Sequence, residues 1–389
     1  MIKTNLIIII FTLFAVVNVQ AQLRVWNMKN LDEAKTKKTT EVSTIIKEAD
    51  KKLKQALVSV VDKEMTPSSG DKHDYMSMGR YWWPDPTKTD GLPYIRKDGQ
   101  SNPEIEKLDR YPLSNFAQSI ETLSLAFYLT LDEKYAQKAV RNLRIWFIND
   151  ATKMNPNMNY GQTIPGVRNG LGRGEGILDT YSFFEMLDAI EILKKSKAFS
   201  TQDQIAIEDW FKTYVSWLQS APVAAEEQQA KNNHGTAFDV QLTRYALFIG
   251  DYELAKSIIN QFAENRLFTQ IEPDGSQPLE LVRTTALGYS TFNLTHFLDM
   301  AQMSKSLNID LLHQKSKDGR SILKAIDFLV QYVNQPQAIF PYQQIKDWEG
   351  VQEKLRWQLY RVDKMLDKAI YSSYYPQRFT NPTKESILY

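Results

Sequence analysis

Residues 231–235 read Lys231-Asn232-Asn233-His234-Gly235, and from Thr236 to Ile249 the apolar residues Ala237, Val240, Tyr245, Ala246 and Phe248 follow at helical spacing. The pattern predicts an α-helix that begins just after two amides and an imidazole. Such a helix directs its free N–H groups and its positive dipole end at the preceding turn, which favours an anion such as a carboxylate. The plainer reading has Asn233 capping the helix and His234 packed against a neighbour. The same period runs outward in both directions. Helices are expected at about 40–61, 177–193, 202–218, 252–267, 291–306, 321–333 and 351–369, and from Leu113 onward two helical faces follow, Ile120, Leu123, Ala126 and Phe127, then Tyr135, Ala139, Leu143, Trp146 and Phe147. Alternating strand patterns are few and no βαβ rhythm exists. Recurrent helix pairs in one long chain predict an all-α fold, an (α/α) toroid or incomplete barrel, with a helical solenoid as the other arrangement.

The chain has 389 residues, 43% hydrophobic and 24% charged, which is ordinary for a globular protein. Its formal net charge is +1, so bulk electrostatics gives no case for a nucleic acid or an anionic membrane as partner. The first residues read as an export signal: Lys3, an apolar run from Leu6 to Val17, and Val19-Gln20-Ala21 as the cleavage site. The apolar run is short for a membrane span, and no second one follows. We therefore divide the chain into a signal peptide, 1–21, and a single domain, 22–389, and expect a periplasmic or secreted protein. There are no cysteines, which removes disulfides, a thiolate nucleophile and Cys-ligated zinc.

Two stretches break the helical period. Residues 66–112 are punctuated by Pro67, Gly70, Pro84, Pro86, Gly91, Pro93, Gly99 and Pro103, yet carry Arg80-Tyr81-Trp82-Trp83, too aromatic for a solvated linker. Residues 155–173 lead into Gly172-Arg173-Gly174-Glu175-Gly176. That run lacks the preceding strand and the closing Lys-Ser/Thr of a phosphate loop, so its glycines are read as letting backbone approach a ligand or a packing partner. Arg173 is an anion-binding candidate or half of a structural ion pair. In a toroid such loops would converge on one end as a cleft.

Several chemistries can be weighed. The four histidines show no metal-ligand spacing, and no Gly-x-Ser-x-Gly elbow marks a serine nucleophile. Glu175, Asp179, Asp239, Glu272, Asp274 and Glu280 are numerous enough for a glycoside hydrolase pair, but no spacing selects one. A polysaccharide-binding protein using Trp82 and Trp83 is a third reading. The remaining chemistry is β-elimination on a 4-linked uronic acid polymer. There an enzyme must neutralise the carboxylate, take the C5 proton and protonate the leaving O4. Amide, imidazole and guanidinium donors suit the first task. A Tyr whose pKa is lowered by a nearby Arg suits the other two. Arg283 and Tyr289 are candidates. Six residues turn roughly 600° on a regular helix, so the two would share no face unless one lies at or beyond a helix end.

Together, Asn232-Asn233-His234-Gly235, Glu280 to Arg283, Ala286 to Tyr289 and Met78 to Pro86 resemble the alginate lyase superfamily of helical-toroid polysaccharide lyases. Within it the chain is most similar to polysaccharide lyase family 38. The resemblance implies an (α/α)7-like barrel with long loops over one end, acting on alginate or a related uronan. It implies Tyr289 as base and acid, Asn233 and His234 as neutralisers of the carboxylate, and Arg283 as a holder of that carboxylate or a tuner of Tyr289. It also implies His234 as base for guluronate. Arg80, Tyr81, Trp82, Trp83, Arg173, Glu175, Asn232 and Glu280 would bind the anionic polysaccharide. No metal and no organic cofactor is implied.

Overall fold

A computed structural model of the chain describes residues 24–37, 39–376 and 384–389; the signal read at 1–21 lies outside them. The expected all-α fold is present as two concentric layers. The inner layer consists of Arg110–Thr130, a 3-10 run Gly174–Ser182 continuing into Phe183–Leu193, then Asn233–Phe248, Ala286–Lys305 and Trp348–Leu366, each packed on the next. In Asn233–Phe248 every residue except His234 and Phe248 is buried. A helix with no wet face must be enclosed on both sides. The outer helices, among them Thr40–Lys54, Glu133–Leu143 and Tyr252–Phe262, bury one stripe and expose the other. The two ends of the chain meet. The Asn27 amide donates to the Leu388 carbonyl at 2.7 Å, and Asn30 Nδ2 donates to the Tyr389 carbonyl at 2.6 Å. A solenoid would hold these ends apart, so the arrangement is a toroid.

All the inner rods begin at the same end of the ring. Arg110 pairs with Asp179 at 3.2 Å, Asn233 binds Glu280, and the Gly288 amide donates to Gln344 Oε1 at 3.2 Å, each link joining two neighbouring starts. Positive helix ends therefore converge on one mouth, a field that suits a polyanion.

The loops at that mouth are ordered by short strands. Met76–Met78 pairs in parallel with Tyr160–Thr163, and Trp82–Trp83 pairs antiparallel with Ile95–Arg96. Segments of two to four residues are too short to show alternation in sequence, which is why they read as loop. Met76, Met78, Ile105, Leu108 and Tyr160 form their own small apolar cluster beneath them. The Gly-Arg-Gly-Glu-Gly run meets backbone. A Cβ on Gly176 would lie 2.3 Å from the Gly161 carbonyl carbon, and one on Gly174 would lie 2.7 Å from the Glu227 nitrogen. Of the two readings of these glycines, the packing partner is the one observed.

Three boundaries differ from expectation. The first amphipathic helix stops at Lys54, where Gln55 turns extended, and Val60 is buried by a separate 3-10 turn rather than by the helix. Pro222–Gln228 is helical although no helix was expected there; Pro222 in its first turn starts it. The helix expected from 291 begins at Ala286, which puts Tyr289 in its first turn. No helix among the described residues is long and apolar enough to cross a membrane.

The segment from Arg24 to Trp26 is anchored by charge. The Asp188 carboxylate accepts the amides of Arg24 (3.0 Å), Val25 (2.8 Å) and Trp26 (2.7 Å) and the Arg244 guanidinium (2.5 Å). The Arg244 and Asp188 side chains are 1% and 0% exposed. Asp188→Ala strands a buried guanidinium and three amides, and should lower unfolding stability by about 3–5 kcal/mol, read from the urea midpoint.

Candidate active site

The Asn233 helix is capped one residue earlier than the plain reading had it. The Asn232 side chain accepts the His234 amide at 3.2 Å, so Asn232 is the cap and Asn233 the first helical residue. Asn233 is fully buried. Its backbone N–H and Nδ2 donate to the two oxygens of Glu280 at 2.8 and 2.7 Å, and its Oδ1 is buried without a partner. Glu280, 1% exposed, thus stands behind Asn233 and orients it. His234 projects from the same turn, its Nδ1 2.6 Å from Glu227 Oε1. Burial pulls the imidazole pKa down, but the charge and hydrogen bond of Glu227 outweigh it and hold the value above the ordinary one. Nδ1 is engaged, which leaves Nε2 for a ligand.

A second cluster is built on Tyr289. Arg283 lies outside the helix, between Pro278–Leu281 and Ala286–Lys305. Its guanidinium carbon sits 3.8 Å from the centre of the Tyr289 ring, and its Nη2 donates to the phenol oxygen at 2.8 Å. The phenol in turn donates to the Tyr81 hydroxyl at 3.3 Å, which brings the first aromatic loop onto the site. Arg283 also forks onto Asp98, Nη2 to Oδ1 at 2.8 Å and Nε to Oδ2 at 3.4 Å. One expectation is corrected here. The Tyr289 phenol is pushed up, not down: burial comes first, Tyr81 adds to it, and Asp98 offsets Arg283, the one group that lowers it. Between the two clusters lies Glu280. Its charge is felt by both His234 and Arg283, and burial raises its own pKa against the two hydrogen bonds from Asn233.

The outer candidates separate into groups. Arg173 donates to Glu175 Oε1 at 2.6 Å and Gln162 Oε1 at 2.8 Å, and stands 5.8 Å from the Trp82 ring centre. Trp82, Arg173 and Glu175 therefore form one wall. Trp83 turns elsewhere: its indole N–H donates to the Gln100 carbonyl at 3.0 Å, and Lys97 covers its ring. Arg80 is half-buried, with an Nε that has no hydrogen-bond partner. A cavity of about 430 Å³ opens beside His234, lined by Glu175, Glu227, Lys231, Asn232 and Leu279 among others. Sequence reasoning passed over Glu227, Asp98 and Gln162. Gln162 alone left a structural trace, a left-handed φ of 50° in a non-glycine residue that is tied to Arg173.

The carboxylates weighed for hydrolysis are mostly occupied in structural pairs. Asp179 binds Tyr75, Ser77 and Arg110, Asp239 binds Arg266, Glu272 pairs with Arg320, and Asp274 accepts the Ser276 amide. Among the described residues no three His, Asp or Glu side chains are grouped to hold a metal ion.

The toroid thus carries the Asn233-His234 and Arg283-Tyr289 pairs at the starts of two neighbouring inner helices. Comparison with known proteins identifies the family. A model of the alginate lyase family matches residues 59–339, and the chain belongs to that family. A crystal structure of an alginate lyase from Bacteroides ovatus superposes with a TM-score of 0.91 at 51% identity, over 94% of this chain and 98% of that one. Alginate lyase A1-III from Sphingomonas species A1 superposes with a TM-score of 0.57 at 18% identity, over 89% of this chain and 93% of that one, a likeness of fold. The same enzyme is also known in complex with a tetrasaccharide. A search of curated proteins returns no match.

Proposed function

We propose that the protein is an exported lyase that cleaves mannuronate-containing alginate by β-elimination, with residues 22–389 acting as one catalytic domain after loss of the signal at 1–21. Alginate as substrate is supported by the family and by the Bacteroides ovatus enzyme. A cleft spanning several sugars is supported by the tetrasaccharide held by the A1-III enzyme. The observation that carries the chemistry is the 2.8 Å contact between Arg283 and the Tyr289 hydroxyl. A guanidinium on a phenol oxygen stabilises the phenolate, the form able to take a proton from carbon.

In the reaction, the uronate carboxylate lies against His234. The imidazolium favoured by Glu227 neutralises it and so makes the C5 proton removable. Asn233, fully buried with both of its donors on Glu280, acts by fixing the turn from which His234 projects rather than by touching the carboxylate itself. The Tyr289 phenolate takes the C5 proton, the C4–O4 bond breaks as the C4–C5 double bond forms, and the resulting phenol returns its proton to O4. One group serves both ends because in mannuronate the proton and O4 lie on the same side. Arg283 is committed to Asp98 and Tyr289, so of the two roles weighed for it, tuning the phenol is the better supported. Trp82, Arg173, Glu175 and Tyr81 line the sugar path, with Arg80, Trp83 and Asn232 at its edge. The mechanism calls on no metal or organic cofactor.

Ultraviolet absorbance tests the reading. Purified 22–389 should raise the unsaturated-product signal on polymannuronate, with or without chelator, and more slowly on polyguluronate. A signal on polyglucuronate alone would overturn alginate as substrate, and silence on all three polymers from folded protein would overturn the proposal.

A further inference from the structure

Asp98 lies in the first loop, far along the chain from the residues it touches. Its Oδ1 accepts from Arg283 Nη2 and from Arg96 Nη2, both at 2.8 Å, and its Oδ2 accepts from Thr284 Oγ1 at 3.1 Å and from Arg283 Nε at 3.4 Å. The loop that carries it is pinned on the same side. The Lys346 ammonium donates to the Gly99 carbonyl, and the Ile345 amide donates to the Thr284 carbonyl at 3.0 Å. The side chain is only a quarter exposed. Burial works against its charge, but the hydrogen bonds from Arg283, Arg96 and Thr284 hold the carboxyl at about 2, so it is ionised wherever the protein is folded.

We propose that Asp98 is the positioning residue of this site: its carboxylate holds the Arg283 guanidinium against Tyr289 and keeps it from binding the substrate carboxylate. This rests on Tyr289 being the proton-transfer group. The geometry argues for it in two ways. A guanidinium offers a planar fork, and the fork edge formed by Nε and Nη2 is the one closed by Asp98. The same Nη2 that meets Asp98 also meets the phenol oxygen, so moving the carboxylate moves the donor on which Tyr289 depends. With its charge matched by Asp98, Arg283 supplies a local hydrogen bond and little net field. Carboxylate neutralisation then falls to His234. Tyr289 meets Arg283 and the phenol of Tyr81 at contact, and feels the charge of Asp98, with Arg96 beyond Asp98 and Glu280 acting on Arg283.

Two substitutions separate charge from anchorage. Asp98→Asn keeps an acceptor for Nη2 but removes the negative charge. The Tyr289 phenolate, read as the ultraviolet titration of the chain minus that of its Tyr289→Phe form, should then appear lower by about one pH unit. Asp98→Ala frees the guanidinium, and kcat on polymannuronate should fall about tenfold or more with KM changed less than about twofold. A merely structural aspartate would lower the melting temperature and leave the titration where it was. An unmoved titration together with kcat within twofold in both variants would overturn the proposal. A lower KM with unchanged kcat in Asp98→Ala would overturn it in another way, by showing Asp98 as a competitor for the substrate carboxylate. Turnover by Tyr289→Phe would instead bring down the underlying reading, so the two failures are told apart.

Discussion

Tyr289→Phe removes turnover, by on the order of a thousandfold or more, and leaves the toroid intact. The substitution deletes one oxygen. Its hydrogen bonds to Arg283 and Tyr81 are lost, at a cost of about 1–2 kcal/mol in stability. The ring and its 3.8 Å contact with the guanidinium remain. What goes is the atom proposed to take the C5 proton and return it to O4. Neither neighbour replaces it: Tyr81 has its own position on the loop, and Arg283 stays protonated at any pH the protein meets. Binding should persist, since the wall formed by Trp82, Arg173 and Glu175 is untouched. The expected result is a folded protein by circular dichroism, with KM or ligand affinity near that of the parent and a kcat close to background. A kcat within tenfold of the parent would take the proton-transfer role away from Tyr289.

The parts of this site that could be read in sequence are those written into one short segment. Asn233 and His234 announced themselves by standing at the start of a strongly periodic helix. The six-residue gap from Arg283 to Tyr289 already required one of them to leave the helix, and Arg283 does so, just before the helix that begins at Ala286. Glu227 stayed hidden because its tie to His234 runs across the turn between two helices, and the shorter of them was not expected from the sequence. Asp98 was out of reach altogether: 185 positions separate it from Arg283, and an Asp-Gly in a loop looks like any turn. The error over the Tyr289 pKa has another source: burial pushes the phenol up first and Tyr81 next, and neither leaves a mark in a short window of sequence, whereas Arg283 alone would lower it. The rings of the toroid show the same division. Helix periods were legible, while their common direction, which concentrates positive ends at the mouth, depends on contacts no window of sequence contains.

His234→Ala should cost two to three orders of magnitude in kcat/KM on polymannuronate, and Glu227→Gln should cost about tenfold through the same imidazole. The uronate carboxylate must become nearly neutral before C5 can lose a proton, because otherwise the intermediate carries two negative charges on adjoining atoms. In the proposed mechanism the half-buried His234 imidazolium supplies that neutralisation, and burial alone would strip the proton from it. Glu227, 2.6 Å from Nδ1, supports the charged form. The sign follows. The contribution of His234 to mannuronate turnover should be full below its pKa and fall as pH rises through it. In Glu227→Gln that fall should begin at lower pH, since burial is then opposed only by the charges of Glu175 and Glu280. The fold follows the same linkage, with the ion pair's contribution lost as pH rises through the raised value. Guluronate reverses the demand, for if His234 is the base at that epimer it must be neutral. Glu227→Gln should therefore favour polyguluronate relative to polymannuronate at a fixed pH near neutrality. Parallel pH profiles of the parent and Glu227→Gln on the two polymers test this. Equal losses on both, with no movement of either profile, would mean that Glu227 only props the ring in place and that the imidazole charge plays no part.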